Sequence, residues 1–143
     1  MEMRSMEITV KSASNLKRPN LLCKTKAYAV VFVQGGGKRS SRSEHRTNVD
    51  KENGRNPSWN EAMSFTLHEA SLQQDRLFLT VQIWSATVWG PHPIGHVTVP
   101  LRDFLLKQND MLSSYKCQLV TPSGKPKGIL NLSVKISEKT KIQ

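Results

Sequence analysis

Across these 143 residues, the side chains able to do chemistry are four histidines, two cysteines and a surplus of cations. His45, His68, His92 and His96 come with no nucleophile motif, no H-E-x-x-H and no phosphate-cradling glycine loop before a helix, so no catalytic residue is assigned. His92 and His96 are four apart, but Pro93 and Gly95 argue for an extended segment. In that geometry the spacing is roughly 13 Å, too far for the pair to share one metal. Cys23 and Cys117 lack C-x-x-C spacing and read as reduced thiols in the cytosol rather than a disulfide framework or a zinc site. Neither a metal nor a cofactor is expected.

The cations carry the stronger signal. Twenty-one Lys and Arg against eleven Asp and Glu give a formal charge of +10, which points to lipid, nucleic acid or an acidic protein as partner. Lys17, Arg18, Lys24 and Lys26 flank Leu21 and Leu22, making one segment both greasy and cationic. Lys38, Arg39 and Arg42 follow three glycines, and Arg42 and Arg46 project to one side of their strand, so this second group is a candidate secondary anion site. Few aromatics interleave with the basic stretches and no recognition helix is visible, so no specific nucleic acid is expected.

The elements that position these residues read mainly as strands. Met6, Ile8 and Val10 alternate with Glu7, Thr9 and Lys11, the period of two of a half-buried strand. Ala27 to Gln34 is β-branched and aromatic, Ser43 to Val49 is a weaker edge strand, and Met63, Phe65 and Leu67 favour a strand over a competing helix from Asn60 to Leu72. Leu77, Leu79, Val81 and Ile83 alternate, Ser85 to Pro93 breaks the pattern, and Ile94 to Val99 resumes it. One or two helical turns over Asp103 to Gln108, a strand over Tyr115 to Val120, a turn from Pro122 to Gly128 and a final strand reaching Ile136 complete the series. Eight short strands and one short helix predict an all-β, antiparallel Greek-key β-sandwich over residues 1–137, with 138–143 as a short polar tail. The glycine-basic turn and that tail read as disordered.

A chain of this length buries roughly 68% of its unfolded surface, so 37% apolar content suffices for one core without staples. Glu2, Arg4 and Glu7 stand where a signal peptide needs an apolar run, and position 2 is not the glycine of a myristoylation signal. The longest apolar run, Ala27 to Val33, is far short of the roughly 20 residues that span a bilayer. The expectation is a cytoplasmic protein, peripheral at the inner face of the plasma membrane.

Three segments together resemble the C2 domain. They are Met6-Glu-Ile-Thr-Val-Lys-Ser-Ala-Ser-Asn-Leu16 followed by Ala27-Tyr-Ala-Val-Val31, Asn56-Pro-Ser-Trp-Asn-Glu61 leading to Phe65, and Leu79-Thr-Val-Gln-Ile-Trp84 followed by Ile94-Gly-His-Val-Thr-Val-Pro-Leu101. Their order resembles the circularly permuted, type II arrangement. Tyr115-Lys-Cys-Gln-Leu119 with Pro122-Ser-Gly-Lys-Pro-Lys-Gly128 looks like small plant C2 proteins of the cold-regulated and BON-association types.

The resemblance implies a calcium-binding pole, and the residues there disagree with it. C2 domains that bind Ca²⁺ use aspartates of the first and third loops, because a hard divalent ion wants anionic oxygen ligands. Asn20 and Lys26 stand in place of the first aspartate pair, and Ser85 and Thr87 in place of the third-loop pair. No Asp or Glu occurs between Glu7 and Glu44 or between Asp75 and Asp103; only Asp50 and Glu52 of the second loop remain nearby. Fixed cations then take the place of the ion, and no micromolar Ca²⁺ site is expected.

The lipid-binding residues implied are Lys17, Arg18, Leu21, Leu22, Lys24 and Lys26 of the first loop with Val88 and Trp89 of the third. Trp89 suits either a packed or an interfacial position. Tyr28 and Trp84 match aromatic positions of the phosphoinositide-binding concave face of some C2 domains, but Val30 and Phe32 replace the lysines found there. The reading is a non-enzymatic, calcium-independent module that docks on an anionic phospholipid membrane and serves as adaptor for a membrane-associated protein. By resemblance that partner is of copine type, in plant defence, cell-death or stress signalling. The alternative is a pure protein-interaction module whose basic loops bind an acidic surface without lipid.

Overall fold

Period-two alternation requires a sheet with one apolar face, and the computed structural model has two such faces packed together. It describes residues 2–18, 24–35, 44–107, 113–137 and 140–141. The strands are β1 (Glu2–Ser14), β2 (Ala27–Gly35), β3 (Glu44–Arg46), β4 (Ser58–His68), β5 (Leu77–Thr87), β6 (Gly90–Pro100), β7 (Ser113–Val120), β8 (Pro126–Ile136) and β9 (Thr140–Lys141), with helices α1 (Glu69–Gln73) and α2 (Leu101–Lys107). Eight strands follow one antiparallel path, β3-β2-β5-β6-β7-β8-β1-β4, and β9 adds to β1. The path folds over between β6 and β7, whose ladder is reduced to His96 opposite Val120. One layer is thus β3-β2-β5-β6 and the other β7-β8-β1-β4.

The core lies between the layers. Met6, Ile8 and Val10 from β1, Ala29 and Val31 from β2, Leu79, Val81 and Ile83 from β5, and Leu130, Leu132 and Val134 from β8 are all buried in it. Phe104 of α2 closes the base, its ring edge-to-face with Tyr115 at 4.7 Å. The open side between β2 and β4 is fastened by the Trp59 indole N–H, which donates to the Ala27 carbonyl at 3.1 Å, and by the His45 ring packed edge-on against Phe65.

Several elements differ from the sequence expectation. β4 is a strand as favoured, but the residues after it form α1, giving two short helices rather than one. The loop expected over Ser85 to Pro93 shrinks to the two residues Val88 and Trp89, since β5 runs on to Thr87 and β6 begins at Gly90. Prolines fit there because β6 is paired only with β5 along that stretch, and its other edge needs no N–H donors. β3 is three residues long, β8 starts at Pro126, and Thr140–Lys141 pair with Glu2–Met3 where a disordered tail is expected.

Candidate functional site

The antiparallel path brings four connections to one pole: residues 15–26, 47–57, 88–89 and 121–125. Backbone bonds tie them together. Ala86 N–H donates to the Lys26 carbonyl at 2.9 Å, Asp50 N–H to the Ala27 carbonyl at 2.9 Å, and Leu16 N–H to the Arg55 carbonyl at 3.1 Å. The first and third loops are therefore neighbours, as a shared surface requires.

The hairpin between β5 and β6 turns in two residues and is locked by one hydroxyl. Thr87 Oγ1 donates to the Gly90 carbonyl at 2.7 Å and accepts from Trp89 N–H at 3.2 Å. Gly90 adopts φ +104°, a conformation that side chains disfavour. Held this way, Val88 is 88% exposed and Trp89 80%. Trp89 does not cap the core; with Val88 it forms an apolar tip standing in solvent. Trp59 and Trp84, by contrast, are half-buried, and the Trp84 indole donates to Gln82 Oε1 at 3.2 Å.

Lys17, Arg18, Lys24 and Lys26 are exposed at the stems of the first loop. Leu21 and Leu22 lie outside the described residues. Two exposed cations that the sequence reading did not select, Lys51 and Lys125, join them from the second loop and the β7–β8 turn. Lys127 also reaches this pole, donating to Asn15 Oδ1 at 3.0 Å. The signal for Lys125 and Lys127 was the charge of the segment from Pro122 to Gly128, which is read as a turn.

The carboxylate of Asp50 is occupied by the loop that carries it. Its Oδ1 accepts from the backbone N–H of Glu52 at 2.9 Å and of Asn53 at 3.1 Å, and its Oδ2 accepts from Asn53 Nδ2 at 2.7 Å and Ser58 N–H at 2.8 Å. Burial pulls the carboxyl pKa upward, but the Asn53 side chain and the three backbone donors outweigh it and hold the group well below the usual carboxylate range. Among the described residues no three His, Cys, Asp or Glu side chains are grouped as a metal would need.

Of the secondary anion set, Lys38, Arg39 and Arg42 lie outside the described residues. Arg46 sits on β3 with its guanidinium 3.7 Å from the Glu44 carboxylate. On the outer face of that layer Tyr28 stands opposite Trp84, while Val30 and Phe32 are buried.

A permuted eight-strand sandwich with its loops gathered at one pole defines the class. Residues 4–117 match the C2 domain, and the chain belongs to the C2 domain family. Among curated relatives it is 37% identical to Protein SRC2 homolog of Arabidopsis thaliana over 144 residues, covering 97% of this chain and 42% of that protein. It is 35% identical to Protein SRC2 of Glycine max over 140 residues, covering 96% and 48%. The chain spans less than half the length of either relative.

Among solved structures, a single C2 domain of plant Extended Synaptotagmin 1 superposes with a TM-score of 0.72 at 18% identity, over 96% of both chains. A calcium-bound structure of the tandem C2 domains of Extended-Synaptotagmin 2 gives 0.66 at 21% identity, over 98% of this chain and 44% of the other. These likenesses establish the fold. No helix among the described residues is long and apolar enough to cross a membrane.

Proposed function

We propose that this chain is a non-enzymatic C2 module that docks on anionic phospholipid without calcium, through the pole carrying Lys17, Arg18, Lys24, Lys26, Val88 and Trp89. The carrying observation is the solvated apolar tip of the β5–β6 hairpin, bonded at its stem to the loop that bears the cations. An indole at the headgroup level with basic side chains around it combines the two attractions that hold peripheral proteins to a charged bilayer. Each cation close to an anionic surface contributes about 1 kcal/mol, and the apolar tip adds a part that salt does not screen.

Calcium independence is supported by the chemistry of the loops. The first and third lack carboxylates throughout, and the second commits both oxygens of Asp50 to its own backbone. A divalent ion there would meet ammonium groups instead of charge compensation. Residence at the inner face of the plasma membrane, an adaptor role towards a membrane-associated partner of copine type, and a place in plant defence or stress signalling belong to the same proposal. They rest on the resemblance of Tyr115 to Leu119 and Pro122 to Gly128 to small plant C2 proteins.

Co-sedimentation with vesicles in EDTA tests the reading. Binding to phosphatidylserine or phosphoinositide vesicles, absent with neutral lipid and weakened by salt, is the expected outcome. No binding at low salt would transfer the cationic pole to an acidic protein partner. Calorimetry that detected a micromolar calcium site would overturn the calcium-independent part alone.

A further inference from the structure

A second cationic site stands on the outer face of the other layer, and it originates in a break of alternation in β1. Met6, Ile8 and Val10 point into the core, and the next inward residue is Ala13, not position 12. Val10 pairs with Leu132 and Ser12 with Asn131, so two steps along β1 match one step along β8. Such a bulge re-aims side chains. Here it turns Lys11 and Ser12, consecutive in sequence, to the same outer face.

The register then assembles their neighbours. Ser12, Asn131 of β8 and Lys116 of β7 form one cross-strand row, with Ser114 one outward position away on β7. Lys11 Nζ reaches across β8 and donates to Ser114 Oγ at 3.1 Å, and Asn131 Nδ2 donates to Ser12 Oγ at 3.0 Å. These five residues contribute to the lining of an open groove of about 530 Å³.

The donor count gives this groove its chemistry. Each hydroxyl oxygen is already accepting a bond, from Lys11 or from Asn131, so its own proton is free to be donated outward. Lys11 spends one of three ammonium donors on Ser114, and Lys116 is exposed beside the row. The nearest outward carboxylate on β1, Glu7, is four residues away, roughly 13 Å along the strand, and stands opposite Lys135.

We propose that Lys11, Ser12, Ser114, Lys116 and Asn131 bind a phosphate monoester at this groove, independently of the loop pole. Two point charges and two outward hydroxyl protons suit a compact dianion with several acceptor oxygens. The site is on the layer opposite the one whose hairpin carries Trp89.

The test is amide-resolved NMR of the full chain titrated with inorganic phosphate. Saturable shifts grouped at residues 11–12, 114–116 and 131 are expected, with affinity falling at least tenfold in K11Q/K116Q. K116Q alone, at an exposed position, gives an intermediate loss in a chain whose spectrum is otherwise unchanged. Shifts confined to the loop pole, shifts spread evenly over every lysine, or a K11Q/K116Q variant that titrates like the parent would each overturn the site. Parallel spectra with vesicles containing phosphatidylinositol 4-phosphate separate the sources. Perturbation of the same amides assigns a lipid headgroup, and response to free phosphate alone assigns a soluble monoester.

Discussion

Replacing Trp89 by alanine isolates the apolar part of the proposed membrane docking. A tryptophan carries about 200 Å² of surface, and Trp89 keeps 80% of its own exposed. At about 25 cal/mol per Å², moving the remaining ~160 Å² completely out of water is worth about 4 kcal/mol. An indole at the headgroup level leaves roughly half of that surface wet, which brings the figure to about 2 kcal/mol, or about 30-fold in vesicle affinity. Because this is a transfer energy, the ratio of parent to W89A should persist as salt rises even while both bind more weakly. The assay is sedimentation with phosphatidylserine vesicles in EDTA at two salt concentrations. The parent alone should also show a blue shift of tryptophan emission on binding, since Trp59 and Trp84 are already half-buried. An affinity of W89A within twofold of the parent would refute the reasoning, because no other exposed aromatic tip is available among the described residues to replace it.

The charge part is tested by K24E/K26E, which reverses two exposed cations and should weaken binding about a thousandfold at about 1 kcal/mol for each of four charge units, with an unchanged melting temperature. Asp50→Asn should lower stability by about 1–3 kcal/mol at neutral pH, since the charge that assists all four bonds is removed and the amide nitrogen cannot accept from Ser58 N–H or Asn53 Nδ2. The folded-state carboxyl titrates below its unfolded value, so its contribution is complete above about pH 4 and is lost as pH falls through the folded-state pKa. Thermal melts between about pH 5 and pH 2 should therefore decline less steeply in the variant. Gly128→Ala should cost more than about 1 kcal/mol by chemical denaturation, because φ is +92° and a Cβ would meet Leu16 Cδ2 and the Ser14 carbonyl at 3.2 Å.

Strand interiors were readable wherever one face is core and the other solvent. Met6, Ile8 and Val10, then Leu77 to Ile83, then Leu130 to Val134 state their faces by alternation alone. Ends of strands were not, because hydrogen-bond partners decide them and partners are distant in sequence. Pro91 and Pro93 look like breakers until β6 is seen to be single-sided there. The bulge at Lys11 was equally hidden, since a local pattern of Lys and Ser does not reveal that β8 advances one residue while β1 advances two. The cationic character of the loop pole was legible from composition, and the side-by-side placement of the first and third loops followed from the family resemblance. Asp50 was noted as a leftover carboxylate; its engagement with Ser58 eight residues away needed the folded loop.

The pairing of Glu2 with Lys141 puts both ends of the described chain side by side, one long strand away from Ser14 and the pole beyond it. A 13-residue strand is about 40 Å long. If the molecule docks by the proposed pole, cargo or a reporter joined at Glu2 or Lys141 would therefore hang on the side away from the bilayer. A short peptide stitching the two ends together would allow new termini to be opened elsewhere, giving a permutant whose grip on lipid should match the parent's.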